Sequence, residues 1–145
     1  MPARAAIYAR QSDADLRALY PNAQHRAADG DEAEHFLLKL DGGANLRWNV
    51  SRVAEMSTEL RSKRIEGFCS WVAMQRGAEE LTASLIDRIK ATVVLFGLVT
   101  DSEFTPEVTD CVYEIARRVD GLIFASDSVV DPELGPGLGA LRDEE

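Results

Sequence analysis

A chain of 145 residues, 46 % of them hydrophobic, suits one unit with a real core and no need of metal or disulfide staples. Its 25 Asp and Glu against 16 Lys and Arg leave a net charge of −9, which disfavours non-specific binding to nucleic acid or anionic membrane. No apolar run reaches the roughly 18 residues of a membrane span, and no basic start precedes a long apolar stretch, so a cytoplasmic protein without membrane attachment is expected.

Residues 5–10 (AAIYAR) read as a short strand with Ile7 and Tyr8 as its bulky members. Ser12, with Asp15 three residues on, makes a capping-box-like start to a short helix that Pro21 ends. Residues 22–33 lack an apolar period and are rich in Ala, Asp and Gly, the composition of a surface loop. Residues 34–40 and 44–50 flank Asp41-Gly42-Gly43, a strong hairpin signal because φ > 0 costs glycine little. In the second arm Leu46, Trp48 and Val50 alternate with Asn45, Arg47 and Asn49, as a half-buried strand requires.

From residue 53 to 75 the period turns helical, with Met56, Leu60 and Phe68 near one stripe and Gly67 marking a kink or a close contact. Gly77 ends that helix, and a second runs over 78–90, burying Leu81, Leu85, Ile86 and Ile89. Residues 92–99 (TVVLFGLV) lack polar alternation, so this strand needs cover on both faces. Thr105-Pro106-Glu107 then supplies a cap, a first-turn proline and a first-turn acid for a helix that buries Val108, Val112, Ile115, Ala116 and Val119. Asp120-Gly121 turns into the strand 122–125 (LIFA). A strand, helix, strand order invites a parallel right-handed crossover.

The organisation expected is one α+β domain over residues 1–130 and a Gly/Pro-rich acidic tail over 131–145, either an ordered arm or a frayed end. The tail's Gly135-Pro136-Gly137 run is no phosphate loop, since no Gly-Lys-Ser/Thr comes after it. The first six units match the β-α-β-β-α-β order of a ferredoxin-like core, here extended by a C-terminal helix and strand. A mixed sheet of different strand order, with helices packed against it, satisfies the same element order.

Four groups of residues carry candidate chemistry. Asp101, Glu103 and Asp127 come after two apolar strands, where open α/β sheets place ligands if the strands are parallel neighbours; such carboxylates could hold Mg²⁺ or act as acid and base. His25, His35, Cys69 and Cys111 lack zinc-site spacing. The histidines read as surface residues, and the cysteines sit at core-facing helix positions where a thiol stays protonated. Arg61, Lys63 and Arg64, with Arg47, Arg52 and Trp48, could be an RNA-binding face, but a basic helical turn on an acidic chain reads more simply as solvated surface.

The fourth group is the acidity itself. Residues 1–77 carry 11 basic and 10 acidic side chains, whereas 78–145 carry 5 and 15, so the negative charge belongs to the second half. With Glu107, Asp110 and Glu114 on the capped helix, that half could engage a basic protein partner by electrostatic steering. The expectation is a non-enzymatic binding domain of immunity, inhibitor or regulatory type, without a cofactor, its partner another protein or a second copy of itself. The alternative is a small-molecule or Mg-dependent enzyme using Asp101, Glu103 and Asp127.

Overall fold

An apolar strand without polar alternation must be sandwiched, and the fold supplies a layer on each side of it. The computed structural model describes residues 4–11, 20–27, 29, 34–40, 43–74, 79–100, 105–125, 128–131 and 135–136. Its strands are β1 (Arg4–Ala9), β2 (Gln24–Arg26), β3 (His35–Lys39), β4 (Asn45–Arg52), β5 (Val94–Thr100), β6 (Gly121–Ala125), β7 (Ser128–Asp131) and β8 (Gly135–Pro136). They form one sheet in the order β2-β3-β4-β5-β1-β6-β7-β8, antiparallel at every pair, with only the short strands β2 and β8 at its edges. After a short 3₁₀ turn (Val53–Glu55), α1 (Thr58–Arg61) runs through a π-helical turn (Ser62–Glu66) into α2 (Gly67–Ala73); α3 (Glu79–Lys90) and α4 (Pro106–Arg118) complete the described helices.

The period-2 pattern of the strands decides which layer meets which helix. Ile7, Phe36, Leu46, Trp48, Phe96 and Leu98 point to one face and pack with Val108, Val112, Ile115 and Ala116 of α4. Leu95 and Leu122 point to the other face and pack with Phe68, Cys69 and Val72 of α2 and Leu85 and Ile89 of α3. The result is helices on both sides of an antiparallel sheet. Phe36 stacks on Trp48 across β3 and β4 at 5.3 Å, a cross-strand aromatic pair that pins the hairpin register Leu38↔Leu46.

Local signals set the element ends. Thr105 Oγ1 accepts from the Val108 N–H at 3.2 Å, with Pro106 opening α4, and Ser57 Oγ accepts from the Leu60 N–H at 3.1 Å to start α1. Gly43 turns the hairpin with φ 92°. The Gly67 N–H donates to the Ser62 carbonyl, an i→i+5 bond, so the irregularity expected at Gly67 takes the form of a π turn in the residues before it.

The strand order corrects two expectations. A ferredoxin-like core would place the first strand beside the second arm of the hairpin, whereas β5 occupies that place and pushes β1 one position outward. The sheet is also not mixed. β5 and β6 do run parallel to each other, but β1 lies between them and pairs antiparallel with both, so the β5-α4-β6 unit is a split crossover. The expected loop over 22–33 contains the edge strand β2, with Gln24, His25 and Arg26 facing Leu37, Phe36 and His35. The residues read as a tail contribute β8, and β7 runs on to Asp131; Pro136, lacking an N–H, sits on the outermost strand, where it is tolerated. The short helix expected after Ser12 and the break at Gly77 lie outside the described residues.

Candidate functional site

The face of the sheet that carries α2 and α3 is not fully covered. Antiparallel pairing aligns Asn49, Gly97, Ala6 and Phe124 in one row across β4, β5, β1 and β6. The middle of that row has almost no side chain, and a Cβ built on Gly97 meets nothing within 4 Å. The next row, Ser51, Leu95 and Tyr8, rises toward the helices. Tyr8 meets Phe68 in a tilted pair at 4.3 Å, Phe68 meets Phe124 at 5.0 Å, and Trp71 meets Phe124 edge-on at 4.9 Å. This aromatic cluster closes one side of a dip whose floor is Gly97 and Ala6.

The helical segment after β4 overhangs the dip with Met56, Leu60 and Arg64, leaving a cleft of about 520 Å³. That volume falls in the range of small-molecule sites. The segment is held in place by the Val53 N–H, which donates to the Val93 carbonyl at 2.9 Å, and by Arg61, which donates to the Val53 carbonyl at 3.1 Å. Within the π turn Ile65 reaches the core, as does Phe68 just after it, while Arg64 lines the cleft.

The chemistry of the lining is one-sided. Arg4 and Arg64 bring positive charge, Asn49, Ser51 and Tyr8 bring neutral hydrogen-bonding groups, and among the described residues no carboxylate lines the cleft, although acids outnumber bases in the chain. Among the described residues neither Arg4 nor Arg64 makes a salt bridge. Burial pushes the Tyr8 phenol above its ordinary value, the positive Arg64 pulls it part of the way back and Cys69 adds a smaller upward push. Tyr8 therefore stays protonated at neutral pH and is available as a donor. A cleft with these groups favours a ligand that carries acceptors and negative charge.

The residues singled out from the sequence fall elsewhere. Asp101, Glu103 and Asp127 lie outside the described residues. The strands that precede them are parallel but not neighbours, so their carboxyl ends lie at the same end of the sheet about 10 Å apart, two strand spacings, with Arg4 of β1 between. Among the described residues no three His, Cys, Asp or Glu side chains gather as a metal site. Glu107, Asp110 and Glu114 are exposed together on the outer side of α4, with Glu114 also accepting from the Tyr20 hydroxyl at 3.0 Å.

His25 is on β2 and its Nε2 lies 2.7 Å from Glu34 Oε2, while Arg52 donates to Glu34 Oε1 at 2.6 Å. His35, expected at the surface, is buried at 6 % exposure. Both cysteines are buried free thiols, as their core-facing positions implied, and burial pushes each thiol up. Cys111 Sγ donates to Tyr20 Oη at 3.4 Å. Of the residues weighed as an RNA-binding face, Trp48 is fully buried, Arg52 is engaged by Glu34, and only Arg64 lines the cleft.

Sequence reasoning passed over Arg4, Asn49, Ser51 and Gly97 as site residues. The one signal that could have found the cleft is the glycine inside an otherwise bulky strand, because strand glycines mark places where something else comes close. Among the described residues no helix is long and apolar enough to cross a membrane. Comparison with protein-family models, with curated proteins and with solved structures found no match for this chain, so the cleft's own geometry is the ground for a functional reading.

Proposed function

We propose that this chain is a binding domain whose working surface is the cleft over Gly97, and that its ligand is a small molecule. The observation that carries the reading is the row Asn49, Gly97, Ala6, Phe124, which leaves an unfilled cleft of about 520 Å³, with no described carboxylate in its lining, beside the part of that face that α2 and α3 cover. A half-open hollow of this size beside an aromatic cluster has the dimensions and the mixed apolar and polar lining of a small-molecule site.

The test is a thermal-shift screen of metabolite-sized compounds run in parallel on the wild type and on Gly97→Leu, whose side chain occupies the floor of the cleft. Compounds that raise the unfolding midpoint of the wild type alone support the reading, because a ligand of the folded state stabilises by mass action. If the same compounds stabilise Gly97→Leu equally, the cleft is not where they bind and the reading is wrong.

A second reading, a basic protein partner engaged by α4, is favoured by the placement of Glu107, Asp110 and Glu114 on one exposed side of that helix. It predicts a partner that wild-type protein captures at low salt, and that is released at high salt or by the double change Glu107→Lys and Asp110→Lys. Capture that survives both would remove it.

A further inference from the structure

Taking the cleft over Gly97 as the binding surface, on which this step rests, we infer that its ligand is a planar organic anion, a carboxylate or phosphate joined to a flat apolar body. The two halves of that description come from two parts of the cleft. The floor at Gly97 and Ala6 rises no higher than one methyl group and is flanked by the Phe124 ring on β6 and the Asn49 amide on β4, so it is shaped for a thin body laid along the sheet. Aromatic rings meet their neighbours face-offset or edge-on, and Phe124 already takes Phe68 and Trp71 edge-on, leaving the cleft side of that cluster for another flat group.

The anionic half comes from Arg64 and Tyr8. Arg64 and Tyr8 both line the cleft, so a guanidinium fork and a neutral hydroxyl donor are available to the same ligand, and the charge of Arg64 acts on the phenol. A carboxylate or phosphate oxygen uses both kinds of donor, whereas a cation would meet two arginines with no described acid beside them to offset their charge. Arg4 adds a second positive charge beyond Val99, its partner on β5. On a chain of net charge −9, a local pair of arginines without a described carboxylate in the lining concentrates attraction for anions at one place.

The experiment uses three probes of one shape: benzoate, phenyl phosphate and the neutral benzamide. Binding is followed by the amide resonance of Gly97 in ¹⁵N-glycine-labelled protein, identified by its loss in Gly97→Leu. Saturable movement of that resonance with benzoate or phenyl phosphate, and weaker or none with benzamide, is the expected result. Arg64→Met should weaken the anion about tenfold, the effect of removing a charge-assisted hydrogen-bonding partner, while Arg64→Lys restores part of the loss. Arg64 is exposed, so the variant's urea midpoint should match the wild type. If benzamide binds as tightly as benzoate, or Arg64→Met binds the anions unchanged, the anion assignment is overturned while the cleft remains a binding site. If none of the three moves the Gly97 resonance in the millimolar range, the cleft reading fails and this inference with it.

Discussion

Replacing Gly97 and Gly121 each by alanine applies one chemical change at two strand positions that differ in what lies above them. At Gly121 the added Cβ would stand 2.5 Å from Ile7 Cγ2 and 3.4 Å from the Tyr8 carbonyl oxygen, and Ile7 is fully buried, so its methyl cannot swing away without moving the sheet. At Gly97 the same atom enters open space. Both variants gain about 0.4–1 kcal/mol from a less flexible unfolded chain, but only Gly121→Ala adds overpacking strain of about 1–3 kcal/mol. Gly97→Ala should therefore be stabilised by a few tenths to about 1 kcal/mol, and Gly121→Ala destabilised by about 1–2 kcal/mol. Urea unfolding at unchanged m-value reads the difference directly, and in a chain of this size each kcal/mol also moves the thermal midpoint by roughly 2–4 °C. A loss at Gly97 as large as that at Gly121 would refute the reasoning, because it would mean that the floor of the cleft is already covered.

Three further outcomes are expected. Thr105→Ala removes the acceptor for the Val108 N–H and should cost about 1 kcal/mol in urea unfolding, with Thr105→Ser retaining most of it. Burial pushes the Glu34 carboxyl up, but hydrogen bonds from Arg52 and His25 outweigh it and hold the group below its ordinary value. Its contribution is thus present above the ordinary carboxyl range and lost as pH falls through the depressed folded value, so Glu34→Gln should differ from wild type near neutrality and converge with it only once the pH has fallen through that value. Because Arg52 is 40 % exposed, the difference at pH 7 should be about 1 kcal/mol or less. Cys69 and Cys111, both buried with thiols pushed up, should react with a disulfide reagent slowly in folded protein and fully in denaturant; rapid native reaction of either would contradict its burial.

Much of the local structure was legible because its causes are local. Asp41-Gly42-Gly43 between apolar runs gives the β3–β4 hairpin, Thr105-Pro106 gives the start of α4, and the alternation of Leu46, Trp48 and Val50 gives the buried side of β4. Strand order was not legible. β1, β5 and β6 are all apolar, and nothing near any of them in sequence says that β5 rather than β1 pairs with β4; that choice rests on contacts such as Val50 opposite Phe96, made across a long stretch of chain. The cleft stayed hidden for the same reason. Arg64 reads as one charge in a solvated basic turn and Gly97 as one small member of an apolar run, and only the pairing of β4, β5 and β1 brings Asn49 and Ala6 to either side of that glycine.

The position of β1 has a consequence for how the chain folds and fails. It lies between β5 and β6, yet precedes both by most of the described chain, with Ala9 paired to Val94 on one side and Gly121 on the other. Both closures are long, so the sheet's middle should be the slow step of folding, and Ile7 and Tyr8 remain exposed to other chains until it is complete. Removing β1 would not trim a border but part the sheet, leaving β5 and β6 each with a row of unpaired backbone groups where the native molecule has none.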